Sequence, residues 1–120
     1  MQRLRVLVLD DDASFLEVVR DVLEAEGFVV VTAREPLPAA EARPYDVVVL
    51  DLMFRRSPIG LDLIRDLRAS AVHPKIVVCS ADRSLLRATG EDMAGPDLRY
   101  LAKPFEIEDL LGAIRDLTGG

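Results

Sequence analysis

A chain of 120 residues with 15 basic and 21 acidic side chains, net charge −6, has room for one compact domain. It has little means of gripping nucleic acid, which takes clustered Lys and Arg. Half of the residues are hydrophobic, but Trp is absent, so Leu, Val, Ile and Ala must fill the core. The single Cys79 excludes an internal disulfide and suits a reducing cytoplasm. No signal-peptide pattern precedes the first strand-like run, and no apolar stretch is long enough to span a bilayer. The expectation is one acidic cytoplasmic domain over residues 1–120, touching neither membrane nor nucleic acid directly.

Short β-rich runs alternate along the chain with helical patterns, the rhythm of an α/β fold with a parallel sheet covered on both faces. Arg5-Val6-Leu7-Val8-Leu9 reads as the first strand. A helix follows in which Phe15, Val18, Val19, Val22 and Leu23 recur at helical spacing, with Asp12 placed to cap it and Gly27 to end it. Phe28-Val29-Val30-Val31-Thr32 is the second strand. Pro36, Pro38 and Pro44 then leave space for only a short second helix. Asp46-Val47-Val48-Val49-Leu50 is the third strand, and the helix after Gly60 turns Leu61, Ile64 and Leu67 inward. Lys75-Ile76-Val77-Val78-Cys79 is the fourth strand, with Cys79 as core packing and His73 before it as an ordinary surface residue. The fourth helix starts near Ser84-Leu85-Leu86 and is limited by Gly90, Gly95 and Pro96. Leu98-Arg99-Tyr100-Leu101-Ala102 is the fifth strand, and Leu110, Leu111, Ile114 and Leu117 mark the last helix before a flexible Thr118-Gly119-Gly120 end.

Four of these strands run straight into a polar group. The first ends in Asp10-Asp11-Asp12, the third in Asp51, the fourth in Ser80 and the fifth in Lys103. The strand ends of an open parallel sheet share one edge, where ligands bind at the topological switch point, so groups far apart in sequence converge there. Carboxylates about 4 Å apart repel by roughly 4 kcal/mol per pair at an effective dielectric near 20. A cation between them relieves this, and oxygen ligands suit Mg²⁺. A carboxylate can also attack phosphorus, and a lysine, a hydroxyl and a metal are the partners that stabilise a transferring phosphoryl group.

Val8-Leu9-Asp10-Asp11-Asp12, Val48-Val49-Leu50-Asp51-Leu52-Met53, Val78-Cys79-Ser80-Ala81 and Tyr100-Leu101-Ala102-Lys103-Pro104-Phe105 together resemble the receiver domains of bacterial two-component response regulators. The likeness runs over essentially the whole chain. It implies a doubly wound, flavodoxin-like sheet of five parallel strands in the order 2-1-3-4-5. It implies that Asp51 accepts a phosphoryl group from a histidine kinase or phosphotransfer protein. Mg²⁺ would be bound directly by Asp11 and Asp51, through water by Asp10, and by the backbone carbonyl of Met53. Lys103 would pair with the phosphoryl oxygens, Ser80 would move to hydrogen-bond them, Tyr100 would rotate inward, and Ala81 would leave room for entry. The resemblance further implies a module that catalyses only its own phosphorylation and dephosphorylation. Its output would pass to a downstream effector or output domain, with a homodimer through the face of the fourth helix, fifth strand and last helix as one arrangement.

Other readings stand beside this one. A dehalogenase-like phosphatase needs a second Asp two residues after the first, where this chain has Met53. A flavodoxin cradles phosphate with hydroxyls and glycines after strand one, where Asp10-Asp11-Asp12 would repel it. A degenerate receiver, working as a phosphorylation-independent interaction module, keeps the same residues and stays open. The chain also departs from the family. Arg55 stands where receivers usually have Pro, and Gly60 comes nine rather than eight positions after Asp51, giving a longer, more basic loop over 54–60. Asp82, two residues after Ser80, offers a carboxylate that could hold a water near the phosphoryl group.

Overall fold

The strands pair because their side chains are apolar on both faces, which is what a sheet sandwiched between helices requires. In the computed structural model, which describes residues 3–119, β1 (Arg5–Leu9), β2 (Val29–Ala33), β3 (Val47–Asp51), β4 (Lys75–Ser80) and β5 (Leu98–Ala102) form one parallel sheet in the order β2-β1-β3-β4-β5. Successive residues point to opposite faces. Val6, Val8, Val47, Val49, Val77 and Cys79 therefore meet α1 (Ala13–Ala25) and α5 (Ile107–Thr118), while Leu7, Leu9, Val48, Leu50, Ile76 and Val78 meet α2 (Ala39–Ala42), α3 (Ile59–Arg68) and α4 (Arg83–Asp92). The expected doubly wound fold and strand order are thus present. Among the described residues no helix is long and apolar enough to cross a membrane.

Helix ends follow local chemistry. The Asp12 carboxylate accepts the N–H groups of Ser14 and Phe15 at 3.0 and 3.2 Å, capping α1 as expected. At the other end Gly27 adopts φ 95°, and the N–H groups of Gly27 and Phe28 reach the carbonyls of Glu24 and Leu23, closing a Schellman turn. The prolines leave α2 a single turn of four residues.

Several expectations need correction. The inward stripe of α3 is Gly60, Leu63, Ile64 and Leu67, the i, i+3, i+4, i+7 pattern, and Leu61 sits half-buried one step around the helix. Val18 is 60% exposed because the buried stripe of α1 runs through Leu16, Val19 and Leu23. Gly90 does not limit α4, which continues to Asp92 and stops before Gly95-Pro96. Thr118 is helical, its hydroxyl donating to the Ile114 carbonyl at 2.8 Å, whereas Gly120 of the expected flexible end lies outside the described residues. His73 is no ordinary surface residue. Its side chain is 15% exposed, with Nε2 3.4 Å from the Asp97 carboxylate that also pairs with Arg68, at the sheet edge opposite the acidic strand ends. Cys79 is buried as expected, and burial pushes its thiol up to about 12.

Candidate functional site

Three strand ends close in the same way. The Asp10 carboxylate accepts the Asp12 N–H at 2.9 Å, the Asp51 carboxylate accepts the Met53 N–H at 2.9 Å, and Ser80 Oγ accepts the Asp82 N–H at 3.0 Å. Each is a side-chain oxygen turned onto the amide two residues ahead, a local bond that starts a loop and fixes the side chain at the strand tip. Register does the rest: Asp51 pairs with Cys79, and the Lys103 N–H reaches the Ser80 carbonyl at 2.9 Å.

The convergence read from the sequence is real for Asp10, Asp51 and Lys103. Lys103 Nζ donates to Asp10 Oδ2 at 2.5 Å and to Asp51 Oδ2 at 2.9 Å, bridging residues 93 and 52 positions away. Both carboxylates are buried, Asp10 almost fully at 2% exposed. Burial is the main cause that raises the Asp10 pKa, opposed by hydrogen bonds from Lys103 and the Asp12 amide. Burial would lower the Lys103 pKa, but its bonds to Asp10 and Asp51 and their charges together outweigh that and raise it. The ammonium is therefore the counter-charge of the site, and its third neighbour is aromatic: Nζ lies 4.2 Å from the centre of the Phe15 ring. An open cleft of about 320 Å³ adjoins it, lined by Asp12, Phe15, Ala81, Lys103, Pro104 and Phe105.

Asp11 stands apart from this trio. Its carboxylate accepts the Arg55 N–H at 2.8 Å, and its carbonyl accepts the Arg34 guanidinium at 3.1 Å. The tie is made by the loop over 54–60. Phe54, buried, and Ser57 form a small antiparallel bridge around Arg55 and Arg56, both at positive φ (49° and 66°). Ser80 is fully buried, and Tyr100 is half-buried with its hydroxyl donating to the Met93 carbonyl at the end of α4. The Asp82 carboxylate accepts the Leu85 N–H at 2.9 Å and caps α4. Sequence reasoning missed Phe15, read as core, and the tie from Arg55 to Asp11. The first carries a signal, since a first-turn residue of α1 necessarily sits near the end of β1. The second does not, because a backbone donor has no side-chain signature.

The donor set is oxygen throughout, Asp10, Asp11, Asp51 and the Met53 carbonyl, which is the chemistry a hard divalent cation takes. Among the described residues, no three acidic, His or Cys side chains are already gathered as a metal-holding group. The fit is therefore of donor type, with Lys103 supplying the positive charge in this arrangement.

The family model for the response regulator receiver domain matches residues 6–115. The chain belongs to that family. Among its relatives, the response regulator MprA of Mycobacterium sp. (strain KMS) is 39% identical over 118 residues, which cover 94% of this chain and 50% of that one. The receiver thus spans about half the length of the curated relatives it matches. The signal receiver domain of a response regulator from Bermanella marisrubri is similar at 34% identity, with 98% of this chain and 99% of that one superposed at a TM-score of 0.80. The response regulator TrrA of Thermotoga maritima, solved in complex with Mg(2+)-BeF, is 25% identical, covers 95% of this chain and 98% of its own, and gives a TM-score of 0.75.

Proposed function

We propose that this receiver accepts a phosphoryl group on Asp51 from a histidine kinase or phosphotransfer protein, with Mg²⁺ at the site, and relays the event through protein contacts. The observation that carries the reading is Lys103 Nζ donating to Asp51 and Asp10 together at the sheet edge. In the transfer, a carboxylate oxygen of Asp51 forms the new O–P bond while the bond from phosphorus to the donor's nitrogen or acyl oxygen breaks. The charge on the three phosphoryl oxygens needs donors already in place, because positioning and electrostatics dominate such reactions. Lys103 supplies one, and the Ser80 hydroxyl, on the neighbouring strand, would move to supply the second. Asp10, Asp11, Asp51 and the Met53 carbonyl would hold the Mg²⁺, which neutralises carboxylate and phosphoryl charge when bound. In this reading the chain catalyses only its own phosphorylation and dephosphorylation. Its partners are then a kinase or phosphotransfer protein upstream and an effector or output domain downstream. A dimer through α4, β5 and α5 is one form of output.

Acetyl phosphate with Mg²⁺ should add a single phosphoryl group by intact mass, and Asp51→Asn should gain none. A full gain in that variant would move the acceptor elsewhere. Mg²⁺ should also raise the melting temperature, since a ligand of the folded state alone stabilises by about 2.7 kcal/mol at 100 times its Kd. Asp11→Ala should blunt that rise, and an unchanged response would remove Asp11 from the ligand set.

Loss of the phosphoryl group needs a water held in line with phosphorus. Met53 bonds Asp51 through its backbone N–H, and its thioether is a poor hydrogen-bonding group for that water. Met53→Asn should therefore shorten the lifetime of the acyl phosphate, followed after the donor is removed. An equal or longer lifetime would contradict this placement of the water.

A further inference from the structure

We infer that Phe15 is a positioning residue for Lys103, its ring face holding the ammonium in line between Asp10 and Asp51; the inference rests on the phosphoacceptor reading above. An ammonium has three N–H donors. Asp10 and Asp51 each accept from Nζ, and the Phe15 ring stands 4.2 Å away, within the range of a cation–π contact. The ring in turn is held by its neighbour and by its backbone. Phe105, two residues beyond Lys103, meets it edge to face with centroids 5.9 Å apart and planes at 88°. Asp12 accepts the Phe15 N–H at 3.2 Å, while Asp12 itself donates its N–H to Asp10. A short path of bonds thus runs from the buried Asp10 through the cap of α1 to the ring that faces Lys103.

This arrangement matters because β5 is an edge strand, and Lys103 emerges at its end beside an open cleft. A lysine there has a flexible stem and a compact, strongly hydrated charge. Without a cover it would exchange its carboxylate partners for water. The aromatic face attracts the ammonium without offering an acceptor that would compete with an incoming phosphoryl oxygen. An aliphatic residue of similar size would fill the same space and pack equally well against the core around α1 and α5, but would not attract the charge. That difference separates positioning from packing.

The chain has only two lysines, Lys75 and Lys103, so the ε-methylene signals of both can be assigned by NMR. A ring at this distance should shift the Lys103 signals upfield of those of Lys75. Phe15→Leu should abolish the upfield shift, and Phe15→Tyr should keep it. Phosphorylation by acetyl phosphate with Mg²⁺ should slow about tenfold in Phe15→Leu, less than the roughly hundredfold that a full 1 Å misplacement can cost. Phe15→Tyr, which keeps the aromatic face, should react at close to the wild-type rate. Wild-type Lys103 signals without an upfield shift would overturn the proposal. So would a Phe15→Leu variant that folds and reacts at the wild-type rate, or equal slowing by Leu and Tyr. Failure of the wild-type chain to gain any phosphoryl group would instead overturn the functional reading, while the NMR shift would still decide whether Phe15 holds Lys103.

Discussion

Replacing Lys103 with methionine should destabilise the folded chain by about 3–5 kcal/mol at neutral pH, the usual cost of removing one partner from a buried ion pair. The substitution leaves the Asp10 and Asp51 carboxylates, both buried, without the ammonium that bridges them. It removes little packing, since the methionine stem follows the same path and remains apolar. The pH dependence gives the loss its signature. Asp10 already has a raised pKa in the folded chain, mainly through burial, and loss of Lys103 removes a hydrogen bond that opposes the rise. A carboxyl whose folded pKa lies above its unfolded value of 3.8 favours the folded state below that value and loses the advantage as pH rises through the folded pKa. The deficit of Lys103→Met should therefore shrink as pH falls towards 4 and be full at pH 7. In the wild type, the raised Lys103 pKa means that its contribution is present below the ordinary lysine value of 10.5 and fades only as pH climbs through the higher folded value. Urea unfolding of both proteins across this range measures the difference. A pH-independent deficit would mean that lost packing, not unpaired buried charge, is responsible.

Gly60→Ala should be comparably damaging for a wholly different reason. A β-carbon at this position would lie 2.2 Å from the Asp51 carbonyl oxygen, 2.9 Å from Leu52 Cα and 3.0 Å from the Leu52 carbonyl oxygen. All three are backbone atoms at the end of β3, so no side chain can swing aside. The Gly60 N–H also donates to the Leu52 carbonyl at 3.1 Å, which draws the first turn of α3 onto that strand end. Alanine gains about 1 kcal/mol in helix propensity, but the overpacking should cost on the order of 3 kcal/mol or more and push α3 away from the strand that carries Asp51. Gly112→Ala in α5 is the matched control, because its added methyl meets nothing within 4 Å and only the propensity gain remains. Thermal unfolding should show opposite signs for the two variants. Equal or rising stability in Gly60→Ala would mean that α3 is free to withdraw from β3.

The same close approach explains why one part of the chain was harder to read than another. The strands were legible because a sheet buried on both faces makes unbroken apolar runs, and only their ends moved by a residue: Val29–Ala33 rather than 28–32, and a β3 that includes Asp51. Asp10, Asp51 and Lys103 were legible because strand ends in a parallel sheet share one edge. The rotation of α3 was not, since apolar spacing alone allows either Leu61 or Leu63 to face inward. Contact of Gly60 with the β3 backbone chooses Leu63. His73 was misjudged because its burial comes from Asp97 and Arg68, both distant in sequence, and a lone histidine before a proline carries no trace of them. The tie between Asp11 and the loop over 54–60 runs through a backbone amide. Its geometry depends on positive φ at two arginines, a conformation that neither residue type advertises.

The central claim is that Asp51 carries the phosphoryl group, and the acyl phosphate can be located chemically. Borohydride reduces an aspartyl phosphate to homoserine while leaving free carboxylates intact. The chain would be treated with acetyl phosphate and Mg²⁺, reduced, digested and sequenced by tandem mass spectrometry. Homoserine at position 51, absent when the donor or the metal is withheld, is the expected result. Homoserine at position 10, 11 or 12, or none at all in a chain that remains folded, would contradict it.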